Sequence, residues 1–235
     1  MQVTVIGHST VLIESGGKKI LTDPFFGTWG NPAYARRSRP AMKRESLTEV
    51  DLVLVSHHHF DHIDRSYFRK LDRGTPVCAP KMMTWFTKLS GAGNVIGMRP
   101  WETREFGVVK VTAVPAIHWD ISLGYVIRCE GKCIYFAGDT FYGGFLSKIG
   151  RLFSPDVGLL PVSTFRLPMT MGEKDAVKAV AALQLRTVIP IHLGLVPRLP
   201  LLRSNESPEG FERRLRAARN PARVILLPYG EAFNL

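Results

Sequence analysis

Asp51-Leu52-Val53-Leu54-Val55-Ser56-His57-His58-His59-Phe60-Asp61-His62 runs from an apolar segment straight into a cluster of metal-binding side chains. The short apolar run up to Val55 reads as a buried strand. Past it, His57, His59, Asp61 and His62 put four potential ligands within six residues. A strand that empties into ligands marks a metal site at the edge of a sheet. Imidazole and carboxylate together suit zinc, and also iron, nickel or manganese.

Outward from this tract, strands and helices alternate. Residues 3–6 read as a strand. Residues 11–14 and 19–22 flank Ser15-Gly16-Gly17, a hairpin signal, and Asp23-Pro24 stops the second arm. Residues 25–45 form a long loop rich in Gly, Pro, aromatics and Arg, of the kind that usually carries function. After the histidines the pattern predicts a helix over 66–71, a strand over 75–79 and a helix over 82–89. A strand over 108–114 runs into Pro115-Ala116-Ile117-His118-Trp119. A hairpin of 124–128 and 132–137 ends at Gly138-Asp139-Thr140. Helices over 145–153, 173–183 and 208–219 then alternate with strands over 157–161, 187–191 and 224–227. The strand over 187–191 stops at His192. This alternation in both halves predicts an α/β fold, two sheets sandwiched between helices, as one domain over 1–235.

The composition is that of a soluble globular protein, 45% hydrophobic and 22% charged over 235 residues. No apolar run approaches the roughly 20 residues that span a bilayer. The N-terminal Met1-Gln2-Val3-Thr4-Val5-Ile6-Gly7 lacks a basic leader and a long apolar stretch. A cytoplasmic location is therefore expected. Cys129 and Cys133 flank a short hairpin loop that would set them across from each other; with Cys78 they read as reduced thiols. The net charge of +11 favours anionic partners. Arg36, Arg37, Arg39, Lys43 and Arg44 cluster in the 25–45 loop, where a role beside substrate is open. Arg213, Arg214, Arg216 and Arg219 read as the solvated face of a helix.

Of the seven histidines, five sit where a strand gives way to a loop: His57, His59, His62, His118 and His192. Asp61 and Asp139 hold the same kind of position. A zinc ion takes four protein ligands in a structural site and three plus water in a catalytic one. Seven candidates therefore overfill one site and suit two divalent cations. The natural division gives His57, His59 and His118 to the first cation and Asp61, His62 and His192 to the second. Asp139 then bridges them. His58 reads as a non-ligand facing the surrounding loop, and Tyr142 as either a donor at the pocket or a packing residue.

The chain resembles the metallo-β-lactamase-fold hydrolases through His57-His58-His59-Phe60-Asp61-His62. The likeness extends over Gly7-His8-Ser9-Thr10, Leu21-Thr22-Asp23-Pro24, Pro115 to Trp119, Tyr135-Phe136-Ala137-Gly138-Asp139-Thr140, Leu160-Pro161 and Pro190-Ile191-His192. Within that superfamily it is most similar to the branch holding N-acyl-phosphatidylethanolamine phospholipase D and ascorbate-6-phosphate lactonase. Phe136 to Thr140 and the helix opening at Met171-Gly172-Glu173-Lys174-Asp175-Ala176-Val177 carry the narrower match. The resemblance implies a four-layer αββα sandwich, two mixed β-sheets flanked by helices, with a dinuclear site at one edge. It also places His8 and Asp23 behind the ligands, orienting their imidazoles. The rival readings are a core histidine bonded to backbone and a turn cap before Pro24. Two departures leave the substrate untransferable. The phospholipase has a segment before its first strand, and its last histidine precedes Trp or Tyr and Gly-Thr, where this chain has Leu193-Gly194-Leu195. Asp139 in place of cysteine argues against a true β-lactamase, and the absence of Glu at position 59 against the oxygen-reducing di-iron branch.

The expected chemistry is hydrolysis by a metal-bridging hydroxide, with Asp61 and Asp139 as catalytic residues. Formal charges leave the site positive, which suits an anionic or amphiphilic small-molecule substrate. A phosphodiester or phosphorylated small molecule or lipid comes first. A lactone or carboxylic ester, such as a sugar-phosphate lactone, is the alternative. A non-catalytic metal or ligand sensor is the alternative of another class. Nucleic acid is disfavoured, because no RNA-binding arm or aromatic–basic strand motif is present. Peripheral membrane contact stays open, and residues 195–203 are a candidate pocket wall.

Overall fold

The structure is a computed structural model that describes residues 1–27 and 31–235. Thr28, Trp29 and Gly30, within the loop expected over 25–45, lie outside the described residues. β1 (Gln2–Gly7), β2 (Thr10–Ser15) and β3 (Lys18–Thr22) form an antiparallel meander. Gly16 and Gly17 turn the β2–β3 hairpin with φ of 57° and 70°, a conformation that costs a residue without Cβ little. The 25–45 loop is less irregular than its composition suggests, since it holds a short strand, β4 (Tyr34–Arg36). β5 (Leu52–Leu54), β6 (Pro76–Pro80) and β7 (Asn94–Met98) then continue the first sheet parallel to β3. α1 (Arg65–Phe68) and α2 (Thr84–Leu89) connect them on its outer face. The helix expected over 66–71 is shorter and starts where the Asp64 carboxylate caps the amides of Ser66 and Tyr67.

The second sheet repeats the scheme. β8 (Thr103–Phe106), β9 (Val109–Pro115), β10 (Leu123–Cys129) and β11 (Lys132–Phe136) run antiparallel. α3 (Phe145–Phe153), β12 (Val157–Pro161), α4 (Glu173–Leu183) and β13 (Thr187–Ile191) follow as a parallel set with its crossover helices. β14 (Leu195–Pro197) leaves the sheet to pair with β4. α5 (Pro208–Ala217) leads to β15 (Arg223–Val224) beside β13, a strand two residues long where 224–227 was expected. β16 (Ala232–Asn234) returns to pair with β1. The strand orders are β16-β1-β2-β3-β5-β6-β7 and β15-β13-β12-β11-β10-β9-β8.

Side-chain alternation builds the four layers. In β2, Val11 and Ile13 face the core between the sheets while Leu12 packs outward beneath the α1 side. In β11, Ile134 and Phe136 face the inter-sheet core, and Cys133 and Tyr135 face α3 and α4. The αββα sandwich of two mixed sheets is therefore observed as expected. The two hairpin cysteines do not face each other. Cys129 pairs with Lys132 and enters the inter-sheet core, whereas Cys133 points to the helices. All three cysteines are free and buried, and burial pushes the Cys78 thiol up to about 12. Among the described residues, no helix is long and apolar enough to cross a membrane.

Candidate metal centre

β1, β3 and β5 run the same way in the first sheet, and so do β9, β11 and β13 in the second. Their C-terminal ends deliver His8, Asp23, His57 to His62, His118, Asp139 and His192. Two cross-sheet bonds bring these ends together: the Leu123 amide donates to Ser56 O at 3.0 Å, and the His192 amide to His8 O at 3.0 Å. The chain turns sharply as it leaves the strands, with left-handed φ at His8 (59°), Asp23 (35°), Gly138 (57°) and His192 (63°). Strain of this kind is sustained only where surrounding contacts over-determine it. Thr140 helps to supply them. Its hydroxyl accepts from the Ile117 amide at 3.0 Å and its amide donates to Thr170 Oγ1 at 3.1 Å, so the His118 and Asp139 loops are pinned together.

The hydrogen bonds select the tautomers. Asp23 is fully buried and accepts from the Ser56 amide and the Ser56 hydroxyl, each at 2.6 Å, and from His62 Nδ1 at 2.7 Å. Because the Ser56 hydroxyl donates to Asp23, it accepts from His57 Nδ1 at 2.9 Å. Both imidazoles thus carry a proton on Nδ1, which leaves Nε2 as the nitrogen turned toward a cation. His8 is fixed the other way. Its Nδ1 accepts from the Gly194 amide at 3.0 Å, so its Nε2–H donates to Asp61 Oδ2 at 3.1 Å. Burial, with His192 alongside, pushes the His8 imidazole down to about 3 and keeps it neutral.

The donor set suits a cation. His57 Nε2, His62 Nε2 and Asp139 Oδ1 are buried without a hydrogen-bond partner among the described residues, a costly arrangement unless something else binds them. His62 Nε2 and Asp139 Oδ1 stand 3.6 Å apart, His192 Nε2 and Asp139 Oδ2 3.1 Å, His118 Nε2 and His59 Nδ1 3.1 Å, and His192 Nε2 and Asp61 Oδ2 3.9 Å. Ligands about 2.1 Å from one tetrahedral zinc lie roughly 3.4 Å from each other, within this range. The candidate ligand atoms of His57, His59 and His118 fall within 4.8 Å of one another, as do those of Asp61, His62 and His192, with His8 behind them as the donor to Asp61. Burial alone would lower His62, yet Asp139, Asp23 and Asp61 raise it to about 10. That field attracts positive charge. Burial opposes ionisation of Asp61 and Asp139, but the surrounding imidazoles outweigh it and hold both carboxyls well below the usual range.

The profile of the beta-lactamase superfamily domain matches residues 2–192. A UPF0173 metal-dependent hydrolase of Thermococcus kodakarensis is 34% identical over 245 residues, which cover 100% of each chain. The chain belongs to this superfamily, within the UPF0173 family. Igni18, a metallo hydrolase of the archaeon Ignicoccus hospitalis, superimposes with a TM-score of 0.79 at 25% identity, over 100% of this chain and 98% of that one. A metallo-beta-lactamase fold protein of Bacillus subtilis does so at 0.73 and 17% identity, over 99% and 98%. The fold is the metallo-β-lactamase fold.

In this superfamily member a cleft opens onto the ligand cluster. His59, Asp61, Asp139 and His192 form its floor. Its walls are Tyr34, Phe60, Phe165, Met169 and Leu195. Tyr34 stacks on Phe60 at 5.9 Å and on Phe165 at 5.1 Å between ring centroids. Pairing of β4 with β14 sets Tyr34 and Leu195 at the mouth, so the 25–45 loop and the 195–203 segment both reach the cleft. Two of the basic loop residues turn elsewhere. Arg36 donates to the carbonyls of Phe25 and Gly27 and lies over the Phe25 ring, and Arg44 approaches Asp64 at 3.7 Å. His58 faces α2 rather than a loop, with Nε2 2.7 Å from Thr87 Oγ1. Tyr142 lies outside the cleft walls, under the Lys178 ammonium. Ser56 and the aromatic walls carry no spacing signal and were not legible beforehand. Ser56 was hidden by standing next to the motif rather than in it.

Proposed function

We propose that the chain is a metal-dependent hydrolase that works with two divalent cations, zinc foremost, and cleaves a phosphodiester or a phosphorylated small molecule or lipid. The observation that carries this reading is that His57 Nε2, His62 Nε2 and Asp139 Oδ1 are buried with no hydrogen-bond partner among the described residues, the two imidazoles being held by bonds at Nδ1. His57, His59 and His118 would hold one cation, Asp61, His62 and His192 the other, with Asp139 between them. Bound there, the cations would supply Lewis acidity and a water that ionises near pH 7.

The chain's own residues do the rest. Asp23 and Ser56 keep the imidazoles of His57 and His62 in the ligating tautomer. His8 anchors one oxygen of Asp61 and so orients the other, which would hold the second cation and could pass to the leaving group the proton that the attacking water gives up. Tyr34, Phe60, Phe165, Met169 and Leu195 receive the apolar part of the substrate and keep bulk water out. The names of the UPF0173 relatives support hydrolysis with metal. The likeness of Phe136 to Thr140 and Met171 to Val177 to the phospholipase and lactonase branch supports a phosphorylated substrate.

The test is turnover of bis-p-nitrophenyl phosphate against a panel of simple lactones by metal-loaded protein. Phosphodiester turnover is expected. Asp139→Ala should lower it by about 100-fold or more and reduce bound metal. Turnover confined to lactones transfers the reading to carboxylic esters. Undiminished activity in Asp139→Ala removes Asp139 from the centre.

A further inference from the structure

Four chain segments ring the cleft, and hydrogen bonds join them edge to edge. β4 pairs with β14, and the Arg198 amide donates to Ala33 O at 2.9 Å. The Arg166 amide donates to Leu202 O at 3.0 Å, tying 165–169 to 198–203. The Trp119 indole donates to Pro168 O at 3.1 Å, which adds 117–121. This rim is unusually apolar for a surface: Trp119 is 69% exposed, Leu167 63%, Leu199 56% and Leu201 67%. Apolar side chains gathered at one mouth mark an interaction surface, unlike the same residues scattered singly.

Charge identifies the occupant. The same segments expose Arg37, Arg39 and Arg166. Their carboxylate is Asp120, which is partly buried and accepts from the Ile121 amide at 2.7 Å. A second copy docking through this face about a twofold axis would set arginine against arginine. A nucleic acid would satisfy the arginines and leave the leucines in water. An anionic bilayer takes both, with leucine and tryptophan among the acyl chains and arginine at the headgroups.

We propose that the rim formed by 34–39, 117–121, 165–169 and 198–203 is a docking surface for an anionic phospholipid bilayer, which sets the cleft mouth against the membrane. Docking stands independently of the chemistry proposed above, because it needs neither metal nor turnover.

The experiment is co-sedimentation of the full chain with vesicles of phosphatidylglycerol or phosphatidylcholine, with and without metal, at low and high salt. The expected result is binding to phosphatidylglycerol vesicles only. The double variant Leu167→Ser, Leu201→Ser should weaken it at least tenfold, and Arg39→Gln with Arg166→Gln should weaken it and flatten its salt dependence. Neither variant should change turnover of a small soluble ester or the melting temperature. Absence of binding to either vesicle overturns the proposal. So does binding that survives the leucine substitutions, which would assign it to the overall charge. Self-association in sedimentation velocity, or oligonucleotide binding, that the leucine variant abolishes also overturns it, in favour of those partners.

Discussion

A histidine ring can be aimed at a cation only by occupying its other nitrogen, and at this centre Asp23 is the residue that does so. It takes the proton of His62 directly and that of His57 through the Ser56 hydroxyl. Asp23→Ala would leave the Ser56 amide and His62 Nδ1 buried without acceptors, at about 1–3 kcal/mol each. Metal affinity should fall by roughly 10–100-fold, as read by chelator competition. Asp23→Asn separates shape from proton bookkeeping, because one of its amide groups must present a donor where carboxylate oxygens accept. It should bind metal nearly as poorly as the alanine variant, and wild-type affinity in Asp23→Asn would sink the tautomer argument. The seven residues read from the sequence as ligands do converge at one end of the sandwich. They were legible because imidazole and carboxylate at a strand end have few other uses. His8 and Asp23 were reachable only through the family likeness. Leu195 falls in the 195–203 segment read as a candidate wall, whereas Tyr34, Phe60 and Phe165 were not legible one by one, because a wall assembled from distant aromatic side chains looks, residue by residue, like ordinary core.

Strand ends carry this site, so the backbone there matters as much as the side chains. Gly138, between β11 and Asp139, has φ of 57°, and a Cβ on it would lie 2.5 Å from Ser56 Cβ and 2.8 Å from Ser56 Oγ. Gly138→Ala must therefore push back the residue that holds Asp23 and His57. A loss of about 2 kcal/mol or more is expected, measured by denaturant unfolding, together with weaker metal binding. Wild-type stability and affinity in this variant would show that Ser56 moves freely and that the proposed network is not rigid. Element by element, α3, β12, α4 and β13 match their expected bounds, because buried parallel strands and amphipathic helices have strong periodic signals. β4, β7, β8, β14 and β16 were missed. β8 is a polar edge strand, Thr-Arg-Glu-Phe, and β14 contains a proline. β16 is three residues long and pairs with β1 from the other end of the chain. Short strands such as these are created by their partners rather than by their own sequence.

At the scale of the whole molecule the centre is a junction between the two sheets. His57, His59, Asp61 and His62 follow β5 of the first sheet, while His118, Asp139 and His192 follow β9, β11 and β13 of the second. A cation held by both sets would cross-link the layers, and it would bind the folded chain far more tightly, because unfolding separates His118, Asp139 and His192 from the His57 to His62 tract. Free metal at a thousand times its dissociation constant would then stabilise the fold by about 4 kcal/mol. For a chain of this length each kcal/mol moves the melting temperature by roughly 2–4 °C, so chelation should lower it by about 8–16 °C. Scanning calorimetry before and after chelator treatment, with metal content followed in parallel, measures the difference. Asp139→Ala should lose most of this metal-dependent increment if Asp139 joins two cations as proposed. Removal of a single ring such as His59 should lose only the part that belongs to its own cation. If full depletion leaves the melting temperature unmoved, the imidazoles and carboxylates are holding the sheet ends together by their own hydrogen bonds, and the cations contribute nothing to the fold.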